Sequence, residues 1–242
     1  MRVVCGLQPV REAIRAHGAR LDRVVVEMQR PPSPQLDALA RFASDQGATV
    51  ERVPRADLDR LTKGARHQGA AAFAPELRIV GLDGIDLTAP SRLLVALDEL
   101  EDPQNFGAIL RSAVAMGADA VVWPEHRSAP LTPATFRASA GAVEHATLCR
   151  VSSLTNALES MRAAGVTVVG LDMDGPTAID AVDLRGSVTL VVGAEGKGLR
   201  KTVKRACDYL ARLPMSGSIA SLNASVSIAI ALYEARRQRG HA

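Results

Sequence analysis

Aromatic side chains are nearly absent: one Trp, two Tyr and four Phe make up 3% of 242 residues. The hydrophobic fraction is nevertheless 47%, so the core must be built from Ala, Val, Leu and Ile, and wholesale disorder is excluded. Scarce rings also argue against a sheet surface that stacks single-stranded bases. Cysteine is equally thin. Cys5, Cys149 and Cys207 are odd in number and far apart, with no Cys-x-x-Cys pair and no close Cys/His grouping, so no structural zinc is expected. No apolar run reaches membrane-spanning length, and the opening Met-Arg-Val-Val-Cys-Gly lacks a signal-peptide core. The expectation is a cytoplasmic protein with reduced thiols, no membrane partner and no metal. Hydrolase chemistry has no anchor either, because there is no Gly-x-Ser-x-Gly elbow. His67 and His145 read as structural or surface residues rather than catalytic ones.

What is present is unevenly distributed. The net charge is only +3, so affinity for a polyanion must come from clustering. Basic residues crowd Arg60, Lys63 and Arg66, then Arg200, Lys201, Lys204 and Arg205, then Arg236, Arg237 and Arg239. Each cluster reads either as a solvated helix face or as a phosphate-binding patch.

Alternating strand and helix periods describe two α/β units with no solenoid repeat. In residues 1–74, strands are expected at Val3–Cys5, Arg23–Glu27, Thr49–Val53 and from His67 onward, with helices at about Pro9–Ala16, Gln35–Gln46 and Ala56–Leu61. Residues 75–90, rich in Pro, Gly and Asp, read as a linker. Residues 91–242 resume with strands at Leu93–Asp98, Ala120–Trp123, Thr147–Val151, Thr167–Leu171, Val188–Val192 and Tyr209–Leu213. Between them lie helices at about Phe106–Met116, Pro133–Ala142 and Leu154–Ala164, a short basic helix, and a long closing one. These strands are near-continuous apolar runs, as in a parallel sheet covered on both faces.

Three segments share one design, an apolar strand that ends in a polar or glycine-rich loop ahead of a helix. In open α/β sheets such loops line one crevice. The first is Leu97-Asp-Glu-Leu-Glu-Asp-Pro-Gln-Asn105-Phe-Gly-Ala-Ile-Leu-Arg111, in which Asn105 suits a helix start. Arg111 lies too far along to cap that helix. It is either a surface residue paired with Glu99 or Asp102, or a phosphate or ribose contact. The second is Gly193-Ala-Glu195-Gly196-Lys-Gly198, whose glycine order fits neither the Walker nor the dinucleotide pattern. Glu195 there would repel a polyphosphate and suits a cationic or hydroxyl-bearing ligand, or else marks an exposed turn. The third is Leu213-Pro-Met-Ser-Gly-Ser-Ile-Ala-Ser221-Leu222-Asn223-Ala224. Its small residues allow a ligand close to the backbone, and Ser and Asn at a helix mouth leave oriented donors and acceptors. That is a binding site.

In order and spacing this trio resembles the three motifs of the SpoU-type RNA ribose 2′-O-methyltransferases. Gly6-Leu-Gln-Pro-Val-Arg-Glu-Ala-Ile, His67-Gln-Gly, Arg127-Ser-Ala-Pro-Leu-Thr and Ala140-Gly-Ala-Val-Glu144 resemble the RlmB-type subgroup, whose members methylate a guanosine of 23S ribosomal RNA. The resemblance implies an α/β fold in which a C-terminal parallel-sheet domain carries a deep trefoil knot (the SPOUT arrangement). A small N-terminal L30e-like α/β domain would bind RNA. It implies S-adenosyl-L-methionine held around Gly193, Leu213, Met215, Leu222 and Ala224, and a homodimer that shares its RNA site. It assigns Asn105, Arg111, Glu195, Ser221 and Asn223 to the catalytic set, with Arg111 also on RNA; the basic cluster Arg60, Lys63 and Arg66 is expected to contact RNA phosphates from the N-terminal domain. Ala224 and Ser227 stand where the family often has Val and Ala, both conservative changes.

Proposals for related transfer-RNA enzymes make the matched Arg the base. A guanidinium stays charged above about pH 12, so Arg111 reads better as a clamp on the adjacent phosphate and on developing alkoxide charge. Asn105 and Asn223 would orient ribose, Arg111 and the closing loop, and Glu195 would hold Arg111 or a neighbouring loop. Other readings are a methyltransferase for transfer-RNA guanosine, a resistance-type enzyme for 23S adenosine, and a non-catalytic RNA-binding assembly factor. A Rossmann-type oxidoreductase is disfavoured by the glycine order.

Overall fold

The computed structural model describes residues 1–129, 131–217 and 221–240. The chain divides into two compact units: Met1–Leu77 with Ser139–His145, and Arg78–Ala138 with Ala146–Ala242.

The first unit comprises β1 (Arg2–Cys5), α1 (Leu7–His17), β2 (Arg23–Glu27), α2 (Pro34–Asp45), β3 (Val50–Val53), α3 (Arg55–Leu61) and β4 (Ala70–Ala74). Its sheet order is β1-β4-β2-β3, with β4 antiparallel to both neighbours and β3 parallel to β2. A β-branched run, Val24-Val25-Val26, favours the extended chain of β2. Ser33 caps α2 by accepting from the Leu36 amide, and Pro34 opens the helix where a missing N–H costs nothing. Strand alternation then sorts the side chains. Val4, Val24 and Val26 pack with Val10 and Ile14 of α1 and Leu36 and Leu39 of α2, whereas Val25 and Ala71 face Leu58 of α3.

The later segment Ser139–His145 completes this unit. Glu144 is buried and pairs with Arg2 and, at 2.9 Å, with His17, and His145 pairs with Glu12 at 3.0 Å. The helix expected over Pro133–Ala142 accordingly stops at Ala138. Ala140 (φ 50°) and Gly141 (φ 88°) turn into the left-handed region. A Cβ on Gly141 would fall 2.9 Å from the Pro9 backbone, so close approach as well as the turn requires glycine.

The second unit contains β5 (Ile79–Val80), β6 (Leu93–Asp98), α4 (Pro103–Ala115), β7 (Ala120–Pro124), α5 (Pro133–Ala138), β8 (Leu148–Val151) and α6 (Leu154–Ala163). It continues with β9 (Thr167–Leu171), β10 (Thr177–Ala178), β11 (Val188–Gly193), α7 (Lys201–Ala206), β12 (Tyr209–Arg212) and α8 (Ala224–Gln238). The strands form one sheet in the order β10-β12-β9-β11-β6-β7-β8-β5, and every pairing among the described residues is parallel. Leu94, Ala96, Val122, Cys149, Val168 and Val191 pack against Leu154, Leu158 and Met161 of α6 and Val203 of α7. The alternating residues Val95, Leu97, Leu190 and Val192 are also buried and point to the opposite face. There α8 packs on β11 and on α4. Double coverage explains why these strands read as unbroken apolar runs.

Two short strands were invisible to the pattern. β5 lies inside 75–90 and pairs with β8, and Leu82, Ile85 and Leu87 pack against the core of this unit. β10 extends the other edge beside β12. At two residues each, neither is long enough to show a period.

Candidate active site

β6 and β11 are central neighbours, and their last paired residues are Asp98 and Gly193. Both loops that follow therefore start at one point on the sheet's carboxyl edge. After Gly193 the chain folds back at once: Gly198 N–H donates to the Ala194 carbonyl at 2.9 Å, closing the loop. A Cβ at Gly193 would sit 2.2 Å from the Gly198 carbonyl oxygen. Only glycine permits that approach. Asp98, fully buried, pins the far side by accepting from the Arg200 backbone N–H at 2.8 Å and its Nε at 2.7 Å. The charge-assisted pair holds a glycine-rich loop that has little packing of its own.

The pinned loop presents Glu195 to two asparagines. Asn105 Nδ2 donates to Glu195 Oε1 at 3.0 Å, Asn223 Nδ2 donates to the same oxygen, and Asn223 Nδ2 also lies 3.0 Å from Asn105 Oδ1. Three residues spread over 118 positions thus form one hydrogen-bonded junction. Asn223 is also the N-cap of α8, its Oδ1 accepting from the Ser225 and Val226 amides. Asn105 does not start α4 as the sequence suggested. Asp102 does, accepting from the Gln104 and Asn105 amides at 3.0 and 3.2 Å, with Pro103 behind it. Asp-Pro is the stronger entry signal, and it places Asn105 in the first turn, 7% exposed.

Beside the junction lies a cavity of about 630 Å³, within the range of small-molecule sites. The structure brings to its wall Gly193, Leu213, Met215, Leu222 and Ala224, together with Glu195, Ser221 and Asn223. The sequence reading missed Asp172, Met173, Asp174 and Lys204, which also line it. Leu171-Asp172-Met173-Asp174-Gly175 was one more strand running into a polar loop, and that repeated design was the available signal. Asp172 pairs with Lys204. The cavity wall thus mixes apolar side chains with Asp174, Glu195 and the Asp172–Lys204 pair. Ser218, Ile219 and Ala220 of the closing motif, and Pro130, lie outside the described residues.

Arg111 is not a member of this wall. It is exposed on α4 and makes no hydrogen bond or ion pair among the described residues. Neither surface partner considered for it is engaged: Glu99 pairs with Arg127 and Arg200, and Asp102 caps α4. Glu195, likewise, holds neighbouring loops rather than Arg111. The free guanidinium is available for an anion.

The basic clusters differ in what they engage. Arg200 and Lys204 are consumed by Asp98 and Asp172. Arg239 donates to the Leu184, Gly186, Ser91 and Arg92 carbonyls, tying the end of α8 to the loops ahead of β6 and β11. Burial lowers its pKa from the ordinary guanidinium value. Arg60 carries an exposed i,i+3 pair with Asp57, whereas Lys63 and Arg66 are exposed without partners among the described residues. His67 is structural: buried, it meets Asp59 through Nε2 at 2.8 Å and accepts the Gly69 amide on Nδ1. Burial pushes the Cys149 and Cys207 thiols up to about 11 and about 12, so neither is a nucleophile at neutral pH. Among the described residues no group of three or more His, Cys, Asp or Glu could hold a metal ion, and no helix is long and apolar enough to cross a membrane.

Two family models match the chain. The SpoU rRNA methylase family matches residues 92–233, and RNA 2′-O ribose methyltransferase substrate binding matches residues 3–80. An uncharacterised tRNA/rRNA methyltransferase of Mycolicibacterium vanbaalenii is 41% identical over 241 residues, covering 98% of this chain and 76% of its own. The SpoU methyltransferase AviRb from Streptomyces viridochromogenes, solved with AdoMet, superposes with a TM-score of 0.75 at 30% identity, over 98% of this chain and 89% of that one. The AdoMet-bound rRNA methyltransferase from Sinorhizobium meliloti also gives 0.75, at 28% identity, over 97% and 86%.

Proposed function

Because the chain belongs to the SpoU methylase family of RNA ribose methyltransferases, we propose that it methylates the 2′-hydroxyl of a guanosine in 23S ribosomal RNA, using S-adenosylmethionine. The observation that carries this reading is the Asn105–Glu195–Asn223 junction at the edge of the cavity, which joins all three motif segments at one place. The cavity suits the cofactor. Asp174 and Glu195 offer negative charge to its ammonium and sulfonium groups, while Asp172 is already paired with Lys204. Backbone groups of Gly193, Leu213 and Leu222 would hold it, with Met215 and Ala224 alongside. A ribosomal rather than transfer-RNA target is supported by the ribosomal enzyme of Sinorhizobium meliloti, which matches both units of this chain.

When bound, S-adenosylmethionine supplies an electrophilic methyl on sulfur, so the protein's task is in-line placement of a ribose oxygen and removal of its proton. Asn105 and Asn223 fix the loops around Glu195, and Ser221 stands at the same rim. Arg111, free and permanently charged, clamps the neighbouring phosphate and stabilises charge on the 2′-oxygen, while the proton leaves to a phosphate oxygen or water. Arg111→Lys keeps the charge but loses the bidentate fork, so turnover should fall by about ten-fold or more. Nearly full turnover at neutral pH would remove the clamp.

A homodimer in the cytoplasm and the deep trefoil knot belong to the same proposal. Val226, Ile230 and Tyr233 form an exposed apolar stripe along α8, which suits a subunit contact. The chain passes from β11 beyond β9 to β12 and returns as α8 onto β11, the type of crossing a knot requires. Incorporation of tritiated methyl into unmodified 23S RNA, followed by mass mapping of the nucleoside, tests the whole. The expected product is 2′-O-methylguanosine. Label in transfer RNA alone, or no label despite cofactor uptake, would move the reading to the transfer-RNA enzyme or to the assembly factor.

A further inference from the structure

Glu27 ends β2, an interior strand of the first unit's sheet. The residue is 8% exposed, and among the described residues nothing donates a hydrogen bond to its carboxylate or pairs with it. Its oxygens are not among the buried atoms left without a partner, so they meet solvent at the recess, where a ligand bringing donors would replace water. The carboxylate lines a separate recess of about 360 Å³, whose other walls include Met28, Arg30, Ser33, Asp37 and Arg52. Met28 is 53% exposed, an apolar face left in water. Arg30 is exposed and free among the described residues, whereas Arg52 is held at the rim by Asp37 at 2.7 Å.

We propose that this recess takes an unpaired guanine of the RNA substrate, its Watson–Crick edge bidentate on the Glu27 carboxylate. The inference rests on the RNA-binding reading above and names which base the first unit selects. A carboxylate accepts only, so its ligand must bring donors. Guanine alone among the four bases has two adjacent N–H donors on that edge, N1–H and the 2-amino group. Uracil has a single N–H there, and the amino groups of adenine and cytosine stand beside a ring nitrogen that would repel the second carboxylate oxygen. Met28 offers a polarisable surface for the ring, and Arg30 and Arg52 can stack on a base or meet the flanking phosphates. A base-specific pocket is thereby possible in a chain with almost no aromatic side chains. A cationic protein segment would also satisfy the carboxylate, but the free guanidinium of Arg30 opposes it.

Fluorescence anisotropy of the full-length protein with a short uridine oligoribonucleotide carrying one central guanosine tests this. Replacing that guanosine by adenosine, or by inosine, which lacks the 2-amino group, should weaken binding about ten-fold. Replacing it by 7-deazaguanosine, which keeps both donors, should not. Glu27→Gln should abolish the guanosine advantage with Tm at or above that of the wild type, since the carboxylate has no internal partner to lose. Equal affinity for the guanosine and inosine oligonucleotides overturns the proposal, as does a Glu27→Gln protein that retains the preference. Tighter, Glu27-dependent capture of a lysine-rich peptide would assign the recess to a protein partner and overturn it too. Methyl transfer by the wild type, followed in parallel, separates the two readings. Transfer without guanosine discrimination sinks only this inference, and discrimination without transfer sinks only the enzyme.

Discussion

Gly193→Ala isolates the geometry of the glycine-rich loop that follows β11. The added methyl would stand 2.2 Å from the Gly198 carbonyl oxygen, 2.3 Å from its carbon and 2.6 Å from the Leu199 nitrogen. All three are backbone atoms, so no rotamer change relieves the clash. Gly198 must retreat by about 1 Å or more before ordinary non-bonded separation returns. Overpacking of this kind costs about 1–3 kcal/mol, which for a chain of this length lowers Tm by about 2–12 °C. The functional loss should be larger than the stability loss, because the same shift carries Glu195 off Asn105 and Asn223. A misplacement of about 1 Å costs roughly 100-fold in rate. Gly186→Ala is the control, since a Cβ there meets no atom within 4 Å. Calorimetry with S-adenosylmethionine and single-turnover methyl transfer should show Gly193→Ala crippled in both, with Gly186→Ala unchanged. A Gly193→Ala protein with native cofactor affinity and turnover would refute the assignment of this loop to the cofactor.

Three further outcomes follow from specific contacts. Asp98→Asn loses charge-assisted bonds to Arg200, whose guanidinium can partly re-enter water at 38% exposed; urea titration should show a loss of about 2 kcal/mol and a raised KM for the cofactor, and an unchanged KM would deny Asp98 its positioning role. Replacing Arg60, Lys63 and Arg66 together should flatten the salt dependence of RNA binding by about 0.7 per lost phosphate contact, so an unaltered slope would make the cluster bystander surface. Burial raises Cys207 to about 12, with Asp208 adding to the effect, and Cys149 to about 11. The unfolded thiols ionise first, near 9, so their contribution to stability is whole below that pH and drains as pH rises toward the folded values. Cys207→Ala should shallow that alkaline loss in a pH series of thermal melts, and an identical profile would show that the thiol does not ionise in this way.

Much of this is legible in the sequence. Apolar runs placed Arg23–Glu27, Leu93–Asp98 and Thr167–Leu171 to the residue, because strands buried on both faces leave no polar interruption to blur their ends. Capping chemistry marked Asn223 as the mouth of α8. It misled at Asn105, where Asp102-Pro103 outcompeted it. The short edge strands β5 and β10, and the assignment of Ser139–His145 to the first unit, depend on partners tens of residues away. No local pattern encodes them.

Residue order alone determined the two α/β units, the three polar loops at strand ends and the identity of the groups those loops carry, since periodicity and side-chain chemistry are local properties. Which of those groups meet was decided only in three dimensions. Glu195 turned out to hold Asn105 and Asn223 rather than Arg111, Asp98 to claim Arg200, and Glu27 to be buried beside a recess with no donor of its own. Hydrogen bonds form over about 3 Å, and a sheet whose neighbouring strands are far apart in the chain sets such distances without leaving a trace in the spacing of residues.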